Sequence, residues 1–182
     1  MKFEETTIKS DRLYEGKILS LKLDTVEIPG KKYSKREIVE VSGASAIVPI
    51  LDDGSVIMIK QYRKPIEKIT LEIPAGKIDL GEEPRETAER ELKEETGYTP
   101  SNMTYLTETH TSPGFCDEKI YIFLAKGLQA GEQDLDDDEV VETFNYSFEE
   151  LIKMIERGEI TDAKTIIGIF MARDYLKKER EK

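Results

Sequence analysis

The sequence predicts an α+β fold around a mixed sheet. Segments that alternate between apolar and polar residues come before and after one central helical segment, and two further helical segments lie near the end. Strands on both sides of a helix favour a mixed sheet. With 182 residues, the chain has room for one domain, or one domain with a small appendage, and can bury most of its apolar surface.

The first half of the chain is predicted to consist mainly of strands. Residues 17–28 and 33–41 alternate on either side of "PGKK", a pattern typical of a hairpin. Two more strands flank the Asp-Gly dipeptide at residues 53–54, which is a strong signal for a tight turn. A short strand follows and is interrupted at Pro74.

The second half begins with a helix that we predict from Pro84, a residue suited to a first helical turn, to Gly97, a residue typical of helix ends. Three strands are then expected, at residues 103–110, 119–125 and 140–146. Ser147 and Glu150 form a capping box that opens a further helix, and a last amphipathic helix is expected over residues 162–178.

Charge and cysteine content exclude several classes of protein. The formal net charge of −11 argues against non-specific binding to nucleic acid or to an anionic membrane, since both need basic patches. The single cysteine, Cys116, rules out an internal disulfide framework and suits a reducing compartment. The first ten residues do not resemble a signal peptide, and no apolar run approaches the ~20 residues that span a bilayer. We therefore expect a cytoplasmic protein.

The central helix and the loop before it are unusually acidic. The stretch from Gly76 to Tyr98 contains eight acidic and four basic residues. Since like charges one turn apart on a helix repel by about 0.2–0.5 kcal/mol per pair, such a stretch favours binding of something positive. Helical spacing places Glu91 and Glu95 one above the other, with Glu94 beside them, at the border of the buried face. Carboxylates at such a border suit Mg²⁺ or Mn²⁺.

Two neighbouring features fit a cation site. The loop at residues 76–81 contains two glycines, which let backbone carbonyls approach an ion closely. Arg90 can hold the Glu91 carboxylate in a fixed orientation. The alternative is a solvated helix with ion pairs one turn apart, such as Glu89 with Lys93. For an acidic helix taken alone, this second interpretation is the better one.

The spacing of particular residues favours the cation site. In chain order the relevant residues are Gly76, Glu82, Arg90, Glu91, Leu92, Glu94, Glu95, Gly97 and Tyr98. This spacing matches the Nudix box, and the chain resembles the Nudix hydrolases. The resemblance implies an α/β/α sandwich around a mixed sheet. It also implies metal-dependent hydrolysis of a nucleoside diphosphate that is linked to a further moiety.

The resemblance extends beyond the box to most of residues 12–175. The segments "QYRKPIEKITLEIPAGK", "TSPGFCDE" and "LDDDEVVE" look like those of ADP-ribose pyrophosphatases. Pro113 lies fifteen residues after Tyr98, which is characteristic of that subfamily. One departure is Val-Ser-Gly-Ala at residues 41–44, where such enzymes commonly have His-Pro-Gly-Ala. The resemblance implies hydrolysis of ADP-ribose to AMP and ribose 5-phosphate, with Mg²⁺ as the cofactor and Mn²⁺ as its substitute.

The resemblance also implies the ligands of the metal and the catalytic residues. The metal ligands would be the backbone carbonyl of Ala75 and the carboxylates of Glu91, Glu94, Glu95 and Glu139. Glu91 and Glu95 would be the main ligands, and Glu94 a lesser one. Either Asp137 or Glu139 would orient or deprotonate the attacking water. The catalytic residues would therefore be Glu91, Glu95, Glu139 and Asp137.

Three further residues are expected to contact the substrate. By resemblance, Arg36 and Arg63 would bind the diphosphate, and Glu118 would bind a ribose hydroxyl. A planar guanidinium suits this role because it can donate two parallel hydrogen bonds to phosphate. The alternative for both arginines is a surface salt bridge, and for Arg36 the two interpretations stay equally open.

Other interpretations of the acidic and nucleophilic residues are weaker. A calcium-binding EF-hand loop that starts at Asp134 would need Gly where the chain has Glu139 and Glu where it has Asn145. That interpretation fails, which leaves a solvated acidic loop as the alternative there. The sequence contains no Ser-His-Asp pattern that would include His110 or Cys116, and we assign these two residues no chemistry.

Two functional alternatives stay open from the sequence. One keeps the reaction and changes the substrate to another nucleoside diphosphate sugar. The other is a catalytically silent Nudix-like module that senses ADP-ribose or binds a partner. Such modules usually lose box carboxylates, whereas this chain retains Glu91, Glu94 and Glu95, which favours the enzyme.

The N-terminal region is expected to serve dimerisation. We divide the chain into an N-terminal β region at residues 1–42 and a Nudix hydrolase domain at residues 43–182. A two-stranded hairpin is marginal alone and needs a surface to cover. ADP-ribose pyrophosphatases look like dimers in which one chain helps to form the partner's substrate pocket. We therefore expect a homodimer in which residues 14–36 contact nucleotide bound to the other subunit. The alternative is a monomer in which the hairpin folds back on its own domain.

Overall fold

The computed structural model describes residues 3–135 and 139–181, and the chain divides into two compact units. The first comprises Met1–Gly43 with His110–Lys119, and the second comprises Ala44–Thr109 with Ile120–Lys182. The expected N-terminal β region thus falls in the first unit, together with a short segment from the middle of the chain. Its role in dimerisation stays a prediction. Within the described ranges, no helix has the length and apolar character needed to cross a membrane.

The first unit contains an antiparallel sheet of three strands. These are β1 (Thr6–Glu15), β2 (Leu19–Ile28) and β3 (Lys32–Val41), with β2 in the centre. The pairing of β2 with β3 confirms the predicted hairpin, whose turn contains Gly30 at a φ of 94°. The sequence did not predict β1, because its few apolar residues do not alternate regularly and its pairing with β2 has register shifts.

The second unit is built from mixed strands and helices. The remaining strands are β4 (Ala44–Pro49), β5 (Val56–Arg63), β6 (Lys68–Glu72), β7 (Ala75–Lys77), β8 (Tyr98–His110), β9 (Lys119–Ala130) and β10 (Glu142–Tyr146). The helices are α1 (Pro84–Thr96), α2 (Phe148–Glu156) and α3 (Ala163–Arg180). Strand β4 lies between β7, to which it is antiparallel, and β9, to which it is parallel. The predicted mixed sheet is confirmed.

Helices cover both faces of β4. Because successive side chains of a strand point to opposite faces, Ile47 and Val48 lie on opposite sides of the sheet. Ile47 packs in a buried cluster with Leu92 of α1. Val48 packs in a separate buried cluster with Ile169 and Ala172 of α3. The second unit is therefore an α/β/α sandwich, as the resemblance implied.

The predicted helix boundaries are confirmed by their capping residues. Helix α1 begins at Pro84, and Gly97 follows it with a φ of 78°, a conformation that glycine adopts readily. The Gly97 N–H closes the helix by donating to the Lys93 carbonyl at 2.8 Å. Before α2, the Ser147 hydroxyl accepts a hydrogen bond from the Glu150 N–H at 3.2 Å, which confirms the capping box.

Candidate functional site

Helix α1 and strand β7 bring three of the expected metal ligands together. Glu95 is 2% exposed, and its carboxylate accepts a hydrogen bond from the Ala75 N–H at 2.8 Å. Beside it, Gly76 lies directly under the Glu91 carboxylate. A Cβ at residue 76 would lie 1.9 Å from Glu91 Oε1, so any side chain there would displace the Glu91 carboxylate. Ala75, Glu91 and Glu95 therefore lie side by side.

Arg90 joins the loop before α1 to the carboxylates of the helix. Its Nε and Nη2 each donate to the Glu82 carboxylate at 3.0 Å. Its Nη1 donates to Glu91 at 2.7 Å and to Glu94 at 2.9 Å, and Nη2 also donates to the Lys77 carbonyl at 3.0 Å. The hydrogen bonds from Arg90 lower the pKa of Glu82 to about 2. Arg90 thus fixes the orientation of Glu91 from the side of the loop.

Burial and mutual repulsion raise the pKa values of the carboxylates at this site. Burial raises the pKa of Glu95 to about 8, and the Ala75 N–H opposes this shift. The charges of Glu91 and Glu139 contribute to this increase, and the charge of Lys164 opposes it. Burial also raises the pKa of Glu91, with the charges of Glu94 and Glu139 acting in the same direction. Glu139 therefore lies within electrostatic range of both main box carboxylates.

This set of donors suits a hard divalent cation. In the described part of the chain, no three or more His, Cys, Asp or Glu side chains are arranged to hold an ion as they stand. Arg90 is hydrogen-bonded to both Glu91 and Glu94, which directs these two side chains towards its guanidinium. The donors are nevertheless carboxylate and carbonyl oxygens, the ligands that Mg²⁺ prefers. A bound cation would also relieve the repulsion between Glu91, Glu95 and Glu139.

A second group of charged residues, which we call the Glu72 cluster, comprises Arg63, Thr70, Glu72 and Lys164. Glu72 is 1% exposed. Arg63 donates to both of its carboxylate oxygens, from Nε at 2.8 Å and from Nη2 at 2.7 Å. The Thr70 hydroxyl donates at 2.6 Å, and the Lys164 ammonium donates to Oε2. Burial alone would raise the pKa of Glu72, but Arg63 and Lys164 bring it down to about 2.

The Glu72 cluster makes the stability of the fold depend on pH. The pKa of Glu72 is about 2 in the folded chain, whereas the ordinary value for a glutamate is 4.5. The contribution of Glu72 to the free energy of unfolding is therefore complete above pH 4.5. The contribution is lost as the pH falls towards 2, and by linkage it amounts to about 3 kcal/mol. Between pH 5 and pH 2, the free energy of unfolding of the parent should therefore fall by about 3 kcal/mol more than that of Glu72→Gln.

Urea unfolding followed by circular dichroism at each pH measures this difference. Glu67→Gln is the matched control, because Glu67 forms an exposed ion pair with Lys64 at 2.6 Å. Its pH dependence should follow that of the parent, since exposed pairs contribute little. Parallel curves for the parent and Glu72→Gln would contradict the assignment of this pKa to Glu72.

Sequence reasoning named one member of the Glu72 cluster, Arg63, and missed the other three. Arg63 was expected at the diphosphate, and the structure places its guanidinium on Glu72, with the side chain 40% exposed. Its contact with substrate stays a prediction. Glu72 had a signal, since it is an acid inside the otherwise apolar run "LEIPA". No local pattern indicates Lys164, because its partner Glu72 is 92 residues away in the chain.

The other expected substrate contacts lie in the first unit. The Arg36 guanidinium donates to the Glu5 carboxylate at 2.6 and 3.0 Å, so the alternative ion pair exists. A cavity of about 450 Å³ in this unit is lined in part by Arg36 and Pro113. The roles of Arg36 and Glu118 in substrate binding stay predictions. Asp137 lies outside the described residues.

Known proteins resemble this chain in sequence and in fold. The NUDIX domain family model matches residues 41–167. The chain is 48% identical to an ADP-ribose pyrophosphatase of Bacillus subtilis (strain 168), over 91% of each chain. It is 46% identical to a methanol dehydrogenase activator of Bacillus methanolicus, over 92% of this chain and 91% of that one. A crystal structure of an ADP compounds hydrolase matches 97% of this chain and 96% of its own, with a TM-score of 0.88 and 25% identity. The chain therefore belongs to the Nudix family.

Proposed function

We propose that this Nudix hydrolase cleaves the diphosphate of ADP-ribose, with water, to give AMP and ribose 5-phosphate. The observation that carries the proposal is that the carboxylates of Glu91 and Glu95 lie beside the Ala75 backbone and a partly exposed arginine, Arg90. The ADP-ribose pyrophosphatase that is 48% identical supports the choice of substrate. Mg²⁺ is the proposed cofactor, and Mn²⁺ its substitute.

The chain's own residues would hold the metal and direct the water. Glu91, Glu95 and the Ala75 carbonyl are the proposed main ligands, with Glu94 and Glu139 as further ones. When bound, the metal supplies positive charge at the diphosphate and lowers the pKa of a bound water. Arg90 keeps Glu91 in place by its hydrogen bond of 2.7 Å.

Proton transfer and substrate binding fall to other residues. Glu139 or Asp137 would accept the proton of the attacking water, and a P–O bond of the diphosphate would break as the new one forms. Arg63 and Arg36 would bind the diphosphate oxygens, and Glu118 a ribose hydroxyl. An anionic substrate can thus bind to a chain with a net charge of −11, because cations surround its diphosphate.

Two alternatives make different predictions. If the substrate is another nucleoside diphosphate sugar, the same residues would catalyse the reaction with a different leaving group. A silent module that acts on a partner is suggested by the relative named as a methanol dehydrogenase activator. The chain keeps Glu91, Glu94, Glu95 and Arg90, whereas silent modules usually lose box carboxylates, and this favours the enzyme.

A turnover panel tests the proposal. ADP-ribose, ADP-glucose, GDP-mannose, NADH and diadenosine polyphosphates are compared by kcat/KM in Mg²⁺. We expect ADP-ribose to exceed the others by about tenfold or more, which corresponds to about 1.4 kcal/mol of discrimination. A different preferred sugar would change the substrate and keep the reaction. No turnover of any of these compounds would overturn the proposal.

We also propose a cytoplasmic homodimer in which the N-terminal region reaches the partner's substrate. The first unit supports this because β1 and the turn after it expose large apolar side chains: Ile8, Leu13, Tyr14 and Ile18 are each more than half exposed. Several large exposed apolar side chains on one strand and the turn after it favour a surface that another chain covers. A two-fold arrangement would bury the same patch twice.

Light scattering tests the first part of this proposal. The chain has a mass of 20.8 kDa, so a dimer should have twice this mass at micromolar concentration. A monomer mass under these conditions would reject the dimer.

Mixing two inactive variants tests the second part. If Arg36 serves the partner's site, a mixed dimer of Glu95→Gln and Arg36→Ala has one site with both residues intact, and the mixture should regain activity. The matched control mixes Glu95→Gln with Glu91→Gln, whose defects stay in the same site and should not complement. A mixture with Arg36→Ala that stays as inactive as its parents would show that Arg36 does not act across the interface.

A further inference from the structure

Lys164 occupies an unfavourable place for a lysine. It is 8% exposed, and burial of an ammonium group is costly unless it is paired. It also lies in the first turn of α3, whose N-cap is Asp162, and the positive end of a helix dipole disfavours a cation there. Its ammonium donates to Glu72 and, at 3.1 Å, to Asp162. Burial and the helix dipole both disfavour the ammonium of Lys164, and the carboxylates of Glu72 and Asp162 offset both effects. A lysine kept at such a position indicates a specific role for its side chain.

The role follows from the oxygen that Lys164 binds. Glu72 Oε2 accepts from Lys164 and from Arg63 Nη2, while Oε1 accepts from Arg63 Nε. Lys164 therefore holds the carboxylate in the plane that bidentate binding of Arg63 needs. Arg63 Nη1 makes no hydrogen bond to any residue in the described ranges, and the side chain is 40% exposed. This leaves a free guanidinium edge for a ligand.

The same helix terminus also holds the segment that leads to the metal ligands. The Thr165 hydroxyl accepts a hydrogen bond from the Ile73 N–H at 2.9 Å and donates to Asp162 at 2.6 Å. Two residues further on, the Ala75 N–H binds the Glu95 carboxylate at 2.8 Å. Hydrogen bonds thus connect the start of α3 with the backbone beside Glu95.

We propose that Lys164 is a positioning residue for diphosphate hydrolysis, which fixes Glu72 so that Arg63 presents its free edge to the substrate's diphosphate. The proposal rests on the proposed function, because that function supplies the diphosphate. Lys164 does not itself contact the substrate, since its ammonium is buried and already bound to two carboxylates. Its effect on binding of the diphosphate therefore passes through Arg63, whereas its charge also acts on Glu95 at the metal site.

A double-mutant cycle between Lys164 and Arg63 tests the proposal. Kinetic constants for ADP-ribose are measured for the parent, Lys164→Met, Arg63→Ala and the double variant, below the temperature at which any of them melts. Lys164→Met should lower kcat/KM by between about 10-fold and 100-fold, mainly through KM, as expected for a misplaced binding group. In the Arg63→Ala background the same change should have no further effect on KM, because the contributions of residues that act as a unit are not additive.

A purely structural Lys164 would give a different result. It would lower kcat/KM by the same factor in both backgrounds, and that outcome would overturn the proposal. Lys164→Arg keeps the charge, so its KM should lie between that of Lys164→Met and that of the parent. Lys153→Met is the matched control, because Lys153 forms an exposed pair with Glu149 at 2.8 Å and should leave the constants unchanged. If Lys164→Met does not fold, Thr70→Val removes another donor to Glu72 and enters the same cycle.

The activity of the parent distinguishes failure of this inference from failure of the proposed function. A parent that hydrolyses none of the panel compounds rejects the function, and the inference with it. If the parent prefers another diphosphate sugar, the inference about Lys164 still stands, and the cycle is run with that sugar. If the parent is active and the effects of Lys164→Met and Arg63→Ala are additive, the inference is rejected and the proposed function is not.

Discussion

Glu95→Gln is expected to lower kcat for ADP-ribose by at least about two orders of magnitude while the chain keeps its fold. The substitution preserves the shape of the side chain and removes the charge of a main metal ligand. A loss of this size is comparable to the removal of one strong electrostatic stabiliser from an active site. Steady-state kinetics at saturating ADP-ribose and Mg²⁺ measure the change.

The fold should survive because the carboxylate is unfavourable where it lies. Glu95 is buried beside Glu91 and Glu139, and burial raises its pKa to about 8. The amide of the Glu95→Gln variant would still offer a carbonyl oxygen to the Ala75 N–H, which now donates to the carboxylate at 2.8 Å. The midpoint of thermal unfolding should therefore equal or exceed that of the parent, since repulsion on the helix is relieved.

Glu89→Gln is the matched control for this prediction. Glu89 lies on the same helix and forms an exposed pair with Arg85 at 3.0 Å. Its removal should change kcat by no more than about twofold, because exposed pairs of this kind contribute little. If Glu95→Gln unfolds at a much lower temperature than the parent and Glu89→Gln do, the carboxylate has a structural role. The argument that it binds metal would then be lost.

Features with local determinants could be predicted from the sequence. Pro84 and Gly97 mark the ends of α1 because proline suits a first turn and glycine adopts a positive φ. Ser147 and Glu150 mark the start of α2 by their reciprocal hydrogen bonds. The grouping of Glu91 with Glu95 follows from one turn of helix. Each of these features depends on residues that lie close together in the chain, which the sequence displays directly.

Features that depend on distant segments could not be predicted. Lys164 and Glu72 meet across 92 residues, and neither shows a period that points to the other. The proximity of Glu139 to the box carboxylates was expected only through the resemblance, because no spacing rule connects a loop with a helix that lies before it. Strand β1 was missed because its burial pattern is exposed almost throughout, and an exposed strand carries no alternation of apolar and polar residues.

Removal of divalent metal is expected to abolish hydrolysis of ADP-ribose, and Mg²⁺ or Mn²⁺ should restore it. Without the metal, the site offers the anionic diphosphate only a crowded group of carboxyl groups, whose pKa values are raised by burial and by their repulsion of one another. Arg90 cannot compensate, because its guanidinium is bound to Glu82 and Glu91. Exhaustive dialysis against a chelator, followed by titration with MgCl₂, measures the loss and the recovery. Full activity after complete removal of metal would contradict the proposed mechanism.

Two controls separate specific binding from general screening of charge. KCl at the same ionic strength screens exposed charges as well as MgCl₂ does, and it should restore nothing, because a specific site needs a divalent ion. MgCl₂ should also raise the midpoint of thermal unfolding without substrate, since a ligand that binds only the folded chain stabilises it. The increase should be smaller for Glu95→Gln, which lacks one ligand charge. Recovered activity without any shift in the midpoint would mean that the metal binds only together with the diphosphate, and that Glu91 and Glu95 hold the complex and not the free ion.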